Sequence, residues 1–317
     1  MDYPFPDDAY ELRALLLSGM DGLMPPAEWH DACLTSGRLS SWTFANSILV
    51  SMQHRLETAL HPGMPERPTL IASGAAWARA GRYAEPGTSG YRILKADETG
   101  GLTSGLVYDI SQTDGTPYLN LAPAEPSLSS ITTSMESMFG EFESDGKPLR
   151  VERGEASGRD CSTDGNVVLL DSTLDDAAAI RVMARELALI ILADHEGTPD
   201  QSDFIARSAS LMVCAAFGCA TGGDSPDPAG SSGPSDLLPA GGAARSAARR
   251  IIAFCGRATG FRDGSLLAPG PVSAGGGPAM EDEPGEEMEP DQSPSIIMDN
   301  PVPAIDTTSF DIGGDIL

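Results

Sequence analysis

Apolar residues recur at helical spacing through the first sixty positions, then alternate, then return to helical spacing before giving way to polar and acidic sequence. "DAYELRALLLSGM" (8–20) gathers its leucines on one face and meets a glycine near its end, which predicts a helix. "PPAEWHDACLTSG" (25–37) opens on prolines and predicts a second, short helix. "SSWTFANSILVSMQHRLETA" (40–59) carries Phe44, Ile48, Leu49 and Met52 as an apolar face, with its serines as N-caps. Beyond the breaker "HPGMPERP", the run Tyr91-Arg92-Ile93-Leu94 behind a Gly-rich turn and "GLVYDISQTDGTPY" (105–118) predict an antiparallel pair of strands. A helix-prone polar stretch (127–143) precedes "LRVERGEASGRDCSTDGNVVLLD", which reads as two short strands around a Gly/Asp turn. Two segments, 175–194 and 201–219, are hydrophobic over more than one face and predict buried helices; 222–240 reads as a loop and 243–256 as one further amphipathic helix.

Composition divides this pattern into a folded front and a disordered back. The 317 residues are 41% apolar, enough for a core, but 35 glycines and 25 prolines are spread unevenly. The segment "EDEPGEEMEPDQSP" is too acidic and Pro-punctuated to bury apolar surface, so the tail from about Thr259 to Leu317 is expected to be disordered. The expected fold class is α+β: N-terminal helices with a small antiparallel sheet (1–122), a helical domain (123–258) and the acidic tail (259–317).

Charge narrows the functional classes. A formal net charge of −26 excludes a polyanion binder that uses its whole surface. Locally the balance reverses: between Arg38 and Lys95 seven Lys/Arg (Arg38, Arg55, Arg67, Arg79, Arg82, Arg92, Lys95) face three acids (Glu57, Glu66, Glu85). In that window Trp42, Trp77, Tyr83 and Tyr91 interleave with Arg79, Arg82, Arg92 and Lys95. Ring faces for base stacking beside cations for phosphates are the chemistry of single-stranded nucleic acid binding; the same rings could equally be core. Asn46 and Gln53 are expected on the exposed side of the 40–59 helix. Five cysteines, an odd number with no CxxC pair, give no disulfide framework, and Cys214 and Cys219 are expected to pack as small hydrophobes. The acidic N-terminus has no basic leader region and no apolar run reaches about 18 residues, so a cytoplasmic location without membrane contact is expected.

The order "SWTFANSILVSMQ", "AAWARAGRYAEPGTSGYRIL", "VYDISQTDG" resembles the N-terminal single-stranded-DNA-binding domain of ArdC-type antirestriction proteins. The matching positions are Ser41–Phe44, Asn46, Leu49, Gln53, Trp77, Gly81, Arg82, Gly87, Gly90, Ile93 and Tyr108 through Thr113, spanning roughly residues 10–120. This resemblance implies single-stranded DNA as a partner; together with the ring-and-cation pattern it makes Trp42, Asn46, Gln53, Trp77, Arg79, Arg82, Tyr91, Arg92 and Lys95 the candidate binding residues. The chain departs from the family at 54–68, which is longer, and at "AEPGTSG", where the family is lysine-rich.

The resemblance continues into "VMARELALIILADHEG" and "SDFIARSASLMVCAAFGCATG", which follow the metallopeptidase half of the same family. A zincin needs histidines at i and i+4 on one helix face, a glutamate to polarise the zinc-bound water, and a third ligand from a later helix. In this register Arg185 and Leu189 stand at the two histidine positions and Arg207 at the ligand glutamate; only Glu186, the general-base position, remains. Leucine has no donor atom and arginine stays protonated, so all three ligand positions are vacated. The reading is a degenerate zincin-like domain with no metal, no cofactor and no catalytic residue beyond a vestigial Glu186, in which the guanidinium of Arg185 replaces the missing positive charge. Asp194, His195 and Glu196, even with Cys161 or Cys214, fit no zincin spacing. The terminal "TTSFDIGGDIL" loosely resembles the protein-docking tails of bacterial single-strand-binding proteins, which implies a protein partner. The expected function is non-catalytic single-stranded-DNA binding in antirestriction or mobile-element maintenance. Its alternatives are an interaction scaffold without nucleic-acid binding and, last, a metallopeptidase with unconventional ligands.

Overall fold

The computed structural model describes residues 4–21, 24–39, 42–97, 99–117, 126–156, 158–193, 198–219, 225–228 and 236–259. All lie in the first of two units of the chain, Met1–Ala268; the second is Pro269–Leu317. Ser41, the trio Asp194, His195 and Glu196, and the tail beyond Thr259 lie outside the described residues.

The three N-terminal helices form where the apolar periodicity places them: α1 (Ala9–Asp21), α2 (Pro26–Arg38) and α3 (Phe44–Leu60). The cap of α3 is Thr43 and not a serine, its side chain accepting from the Asn46 amide. Next come β1 (Ile71–Ser73), α4 (Gly74–Arg79), β2 (Arg82–Ala84), β3 (Tyr91–Ala96), β4 (Leu102–Asp109), the 3-10 turn Ile110–Gln112 and β5 (Thr113–Gly115). The expected pair is present: β3 and β4 are antiparallel with Tyr91 opposite Val107, and β1 joins the far side of β4 to give the order β1-β4-β3.

After α5 (Leu128–Phe139) and the hairpin β6 (Glu143–Ser144) and β7 (Lys147–Pro148), the chain forms three strands where two were expected: β8 (Arg150–Gly154), β9 (Cys161–Asp164) and β10 (Val167–Asp171). The "TDGN" turn closes a β9–β10 hairpin, and β8 lies parallel on the other side of β10. Then come α6 (Asp176–Ile191), α7 (Pro199–Ala216) and α8 (Leu237–Thr259). The described chain is thus α+β, helices with small sheets. The last helix begins earlier than its apolar pattern suggested and takes in Pro239, Gly241 and Gly242. Pro239 is tolerated because a first-turn residue has no intrahelical acceptor for an N–H. Gly241 is required by packing: a Cβ there would sit 2.0 Å from the Phe44 ring.

One apolar core runs from Phe5, Leu12 and Leu16 through Trp29 and Phe44 to α5, α6, α7 and α8. Residues on both sides of position 122 contribute to it. Trp29 is its hinge-pin: the ring lies 5.0 Å from Phe44 and 4.9 Å from Phe204, and its Nε1 donates to Ser208 Oγ at 3.0 Å. Gly37 lets α2 approach α7, since a Cβ would collide with the Met212 carbonyl at 2.1 Å. A smaller second core of Leu39, Val50, Ile71, Tyr91, Ile93 and Val107, with Trp42 against it, joins α3 to the first sheet.

Candidate functional site

The residues of the N-terminal motif converge on β3, but mostly from inside. Asn46 Nδ2 donates to the Leu94 carbonyl at 2.8 Å while its Oδ1 accepts from the Leu94 amide at 2.8 Å. Two helical turns later Gln53 repeats the arrangement on Arg92, Nε2 to the carbonyl and Oε1 from the amide, both at 2.8 Å. The two amides therefore occupy the free edge of β3, which would otherwise present unpaired donors and acceptors. The expectation that they face solvent is corrected: both are buried, because an edge strand has nowhere else to direct these groups.

Trp77 and Tyr91 are likewise enclosed, each 0% exposed, so neither offers a ring face to a ligand in this structure. Trp77 Nε1 donates to the Tyr108 carbonyl at 2.8 Å, pinning α4 to β4. Tyr91 donates its hydroxyl proton to His54 Nδ1 at 2.7 Å, because His54 Nε2 must carry the ring proton it gives to the Pro65 carbonyl at 2.8 Å. Burial pushes the His54 pKa down, which holds that neutral tautomer.

Among the cations, Arg82 is spent on the protein's own turn. It donates to Thr113 Oγ1 at 2.9 Å and to the carbonyls of Thr113, Thr116 and Ile110. Arg92 pairs with Asp7 at 2.7 Å, Arg55 with Glu28 at 3.0 Å and Arg67 with Asp31 at 3.9 Å, while Arg38 donates to the Pro68 carbonyl. Arg79 and Lys95 are exposed, and Tyr83 is 65% exposed. Trp42 is half-buried. Arg79 stands at the end of α4 and Lys95 near the far end of β3, opposite Thr103, so the sheet does not gather the predicted cations into one groove.

The second candidate is the middle of α6. Arg185 projects toward α7, donating from Nε and Nη2 to Asp203 Oδ1 at 3.0 and 2.6 Å and from Nη1 to Glu186 Oε1 at 2.8 Å. Asp203 was missed by sequence reasoning; an acid one turn before Arg207 on the partner helix was its signal. Burial pushes the Glu186 carboxyl above its usual range, and Arg185 offsets part of that. Desolvation pushes the neighbouring Cys161 thiol up to about 11, which leaves it protonated near neutrality. Leu189 packs against the main core and Arg207 is half-buried on α7.

The donor set does not fit the zinc that the motif's spacing implies. The one carboxylate retained in the pattern accepts from a guanidinium, and the described residues contain no group of three or more His, Cys, Asp or Glu able to hold a metal ion. No described helix is long and apolar enough to cross a membrane.

No family model matches the sequence, and no curated protein does. Among solved structures, the chain is similar to the metal-free antirestriction ArdC protein from plasmid R388, with a TM-score of 0.44 and 14% identity over 69% of this chain and 85% of that one. For the Mn(II)-bound form of the same protein the TM-score is 0.45, with 12% identity over 79% of this chain and 97% of that one.

Proposed function

We propose that this chain is a non-hydrolytic binding protein of ArdC type, acting in antirestriction, whose ligand is single-stranded DNA. One observation carries the non-hydrolytic half: the side chain at the first histidine position makes three hydrogen bonds to Asp203 and Glu186. A carboxylate held by a guanidinium is not free to activate water, and arginine and leucine cannot coordinate a metal that would supply it. Casein cleavage by the purified chain after addition of zinc would overturn this half.

The DNA half is supported by the motif order shared with the ArdC N-terminal domain. Its residues build β3, its flanking turn and α4, so they act as scaffold for a surface elsewhere. On the sheet side the groups left to meet a ligand are Arg79, Tyr83 and Lys95. The test is anisotropy of a labelled oligothymidylate in low salt. Binding that falls steeply as salt rises is expected; no change at about 20 mM salt would sink the reading.

A second reading, an interaction scaffold that takes a protein partner, is favoured by a different observation. Trp77 and Tyr91 are enclosed, and five of the seven cations between 38 and 95 are bonded within the protein. Deleting residues 259–317 distinguishes it: loss of partner capture with an unchanged melting curve is the scaffold's signature.

A further inference from the structure

The most positive element of this acidic protein is α8. Its 23 residues, "LLPAGGAARSAARRIIAFCGRAT", contain Arg245, Arg249, Arg250 and Arg257 and no Asp or Glu. Its apolar side is consumed: Leu237, Ala240, Ala244, Ala247, Ala248, Ile251, Ile252 and Cys255 are all buried. Arg249, Arg250 and Arg257 are left exposed on the opposite side, and Arg245 is half-buried at the flank. None of the ion pairs among the described residues takes up any of the four.

Their geometry is organised. At about 100° per residue, Arg245 and Arg249 form one row and Arg250 and Arg257 another. Between the rows lie only small residues, Gly242, Ala253 and Ser246, so a ligand's backbone could approach the helix closely. Two of the guanidiniums rest on aromatic rings, Arg250 at 5.2 Å from the Phe142 centroid and Arg257 at 5.6 Å from Phe254. Arg245 donates from Nε to the Trp42 carbonyl, which joins this face to the half-buried Trp42. Burial pushes the pKa of Arg245 down, and the like charge of Arg249 adds to the shift. Two guanidiniums that repel each other, without an acid between them, are a place where an anion is favoured.

We propose that the arginine face of α8, with Trp42 at its N-terminal end, is a contact surface for the phosphates of single-stranded DNA. The proposal rests on the DNA reading above and gives it a surface that the N-terminal motif did not indicate. Four arginines without a lysine suit phosphate, whose oxygens match the planar guanidinium fork. A bilayer is disfavoured because a helix that binds lipid needs an apolar face to insert, and this one has already buried its own.

The experiment uses the full chain and a labelled oligothymidylate, comparing wild type with Arg249→Glu/Arg250→Glu and with Arg79→Ala/Lys95→Ala. The expected result is at least a tenfold loss of affinity in the α8 variant, with an unchanged melting curve. Its log–log salt slope should be shallower by about 1.4, two phosphates at about 0.7 each. The sheet-side variant removes the two cations that the sheet leaves to a ligand and should lose less affinity than the α8 variant. If wild type binds and the α8 variant binds equally well, this surface is wrong while the DNA reading stands. If wild type gives no response in low salt, the DNA reading fails and takes the proposal with it. Sedimentation with phosphatidylserine vesicles in place of oligonucleotide binding would assign the face to lipid and also overturn it.

Discussion

Two polar clusters, one on β3 and one between α6 and α7, sit in contrasting surroundings and use the same kinds of side chain differently. Around β3, the polar groups of Asn46, Gln53 and Asp109 are buried and bond chiefly to backbone. Between α6 and α7, Arg185, Asp203 and Glu186 bond to one another, and the first two are 42% and 38% exposed. A buried side chain that replaces a missing backbone partner is hard to remove, since its loss strands groups that cannot reach water. A half-exposed ion pair can be lost more cheaply, because water takes over each partner. Motif residues of the first kind specify the fold, and those of the second are free to change chemistry while the fold persists.

The strongest test of that contrast is Asp109→Ala. Its carboxylate accepts from the amides of Thr69, Leu70 and Ser111 and from two hydroxyls, in the interior. Stranding those donors is expected to cost about 3 kcal/mol or more, read as a fall in the urea midpoint. Asn46→Ala should follow at about 2 kcal/mol, since it unpairs one amide and one carbonyl of β3; a midpoint shift smaller than that of Arg185→Ala would break the contrast. Arg185→Ala itself should cost about 1 kcal/mol or less, its guanidinium being half-exposed. An unchanged melting temperature would show that this arginine does not compensate for a lost metal.

The smallest effect is a pH dependence. Because the folded-state pKa of Glu186 lies above its ordinary 4.5, the stability it contributes is complete below that value and lost as pH rises through the elevated one. Glu186→Gln removes the ionisation, so the melting temperature of the variant relative to wild type should climb between acidic and neutral pH. A constant difference would mean that the pair with Arg185 balances burial, and a falling one that it outweighs burial.

Much of the fold was legible because helical and strand periodicities differ and most elements here keep to one of them. The helices at 8–20, 25–37 and 40–59 and the β3–β4 pair follow their apolar spacing closely. The third strand of the second sheet was hidden because β9 is "CSTD", whose polar residues carry no alternation. The early start of α8 was hidden by Pro239, Gly241 and Gly242, which read as loop until Phe44 is seen to need the space. At the candidate sites, composition carried charge but not burial. Trp77, Tyr91 and Arg82 look like a ligand surface because stacking rings and cations make the same sequence whether they face solvent or core. Asp203 and the arginine face of α8 were in plain sight, but only folding shows which acid meets Arg185 and which arginines meet none among the described residues.

The amide pair on α3 has a consequence for strand alignment. Along a β-strand, successive residues turn their N–H and C=O groups to opposite edges, so Arg92 and Leu94 face the helix while Tyr91 and Ile93 face β4. Asn46 and Gln53 each present one donor and one acceptor, and so recognise only alternate residues. A slip of β3 by a single position would leave both amides facing the wrong edge and would carry the side chain of Arg92 into the apolar space now filled by Ile93. Two side chains on a helix thus do the proofreading that a fourth strand would otherwise perform; an aspartate at either place would lose half of the message and a leucine all of it.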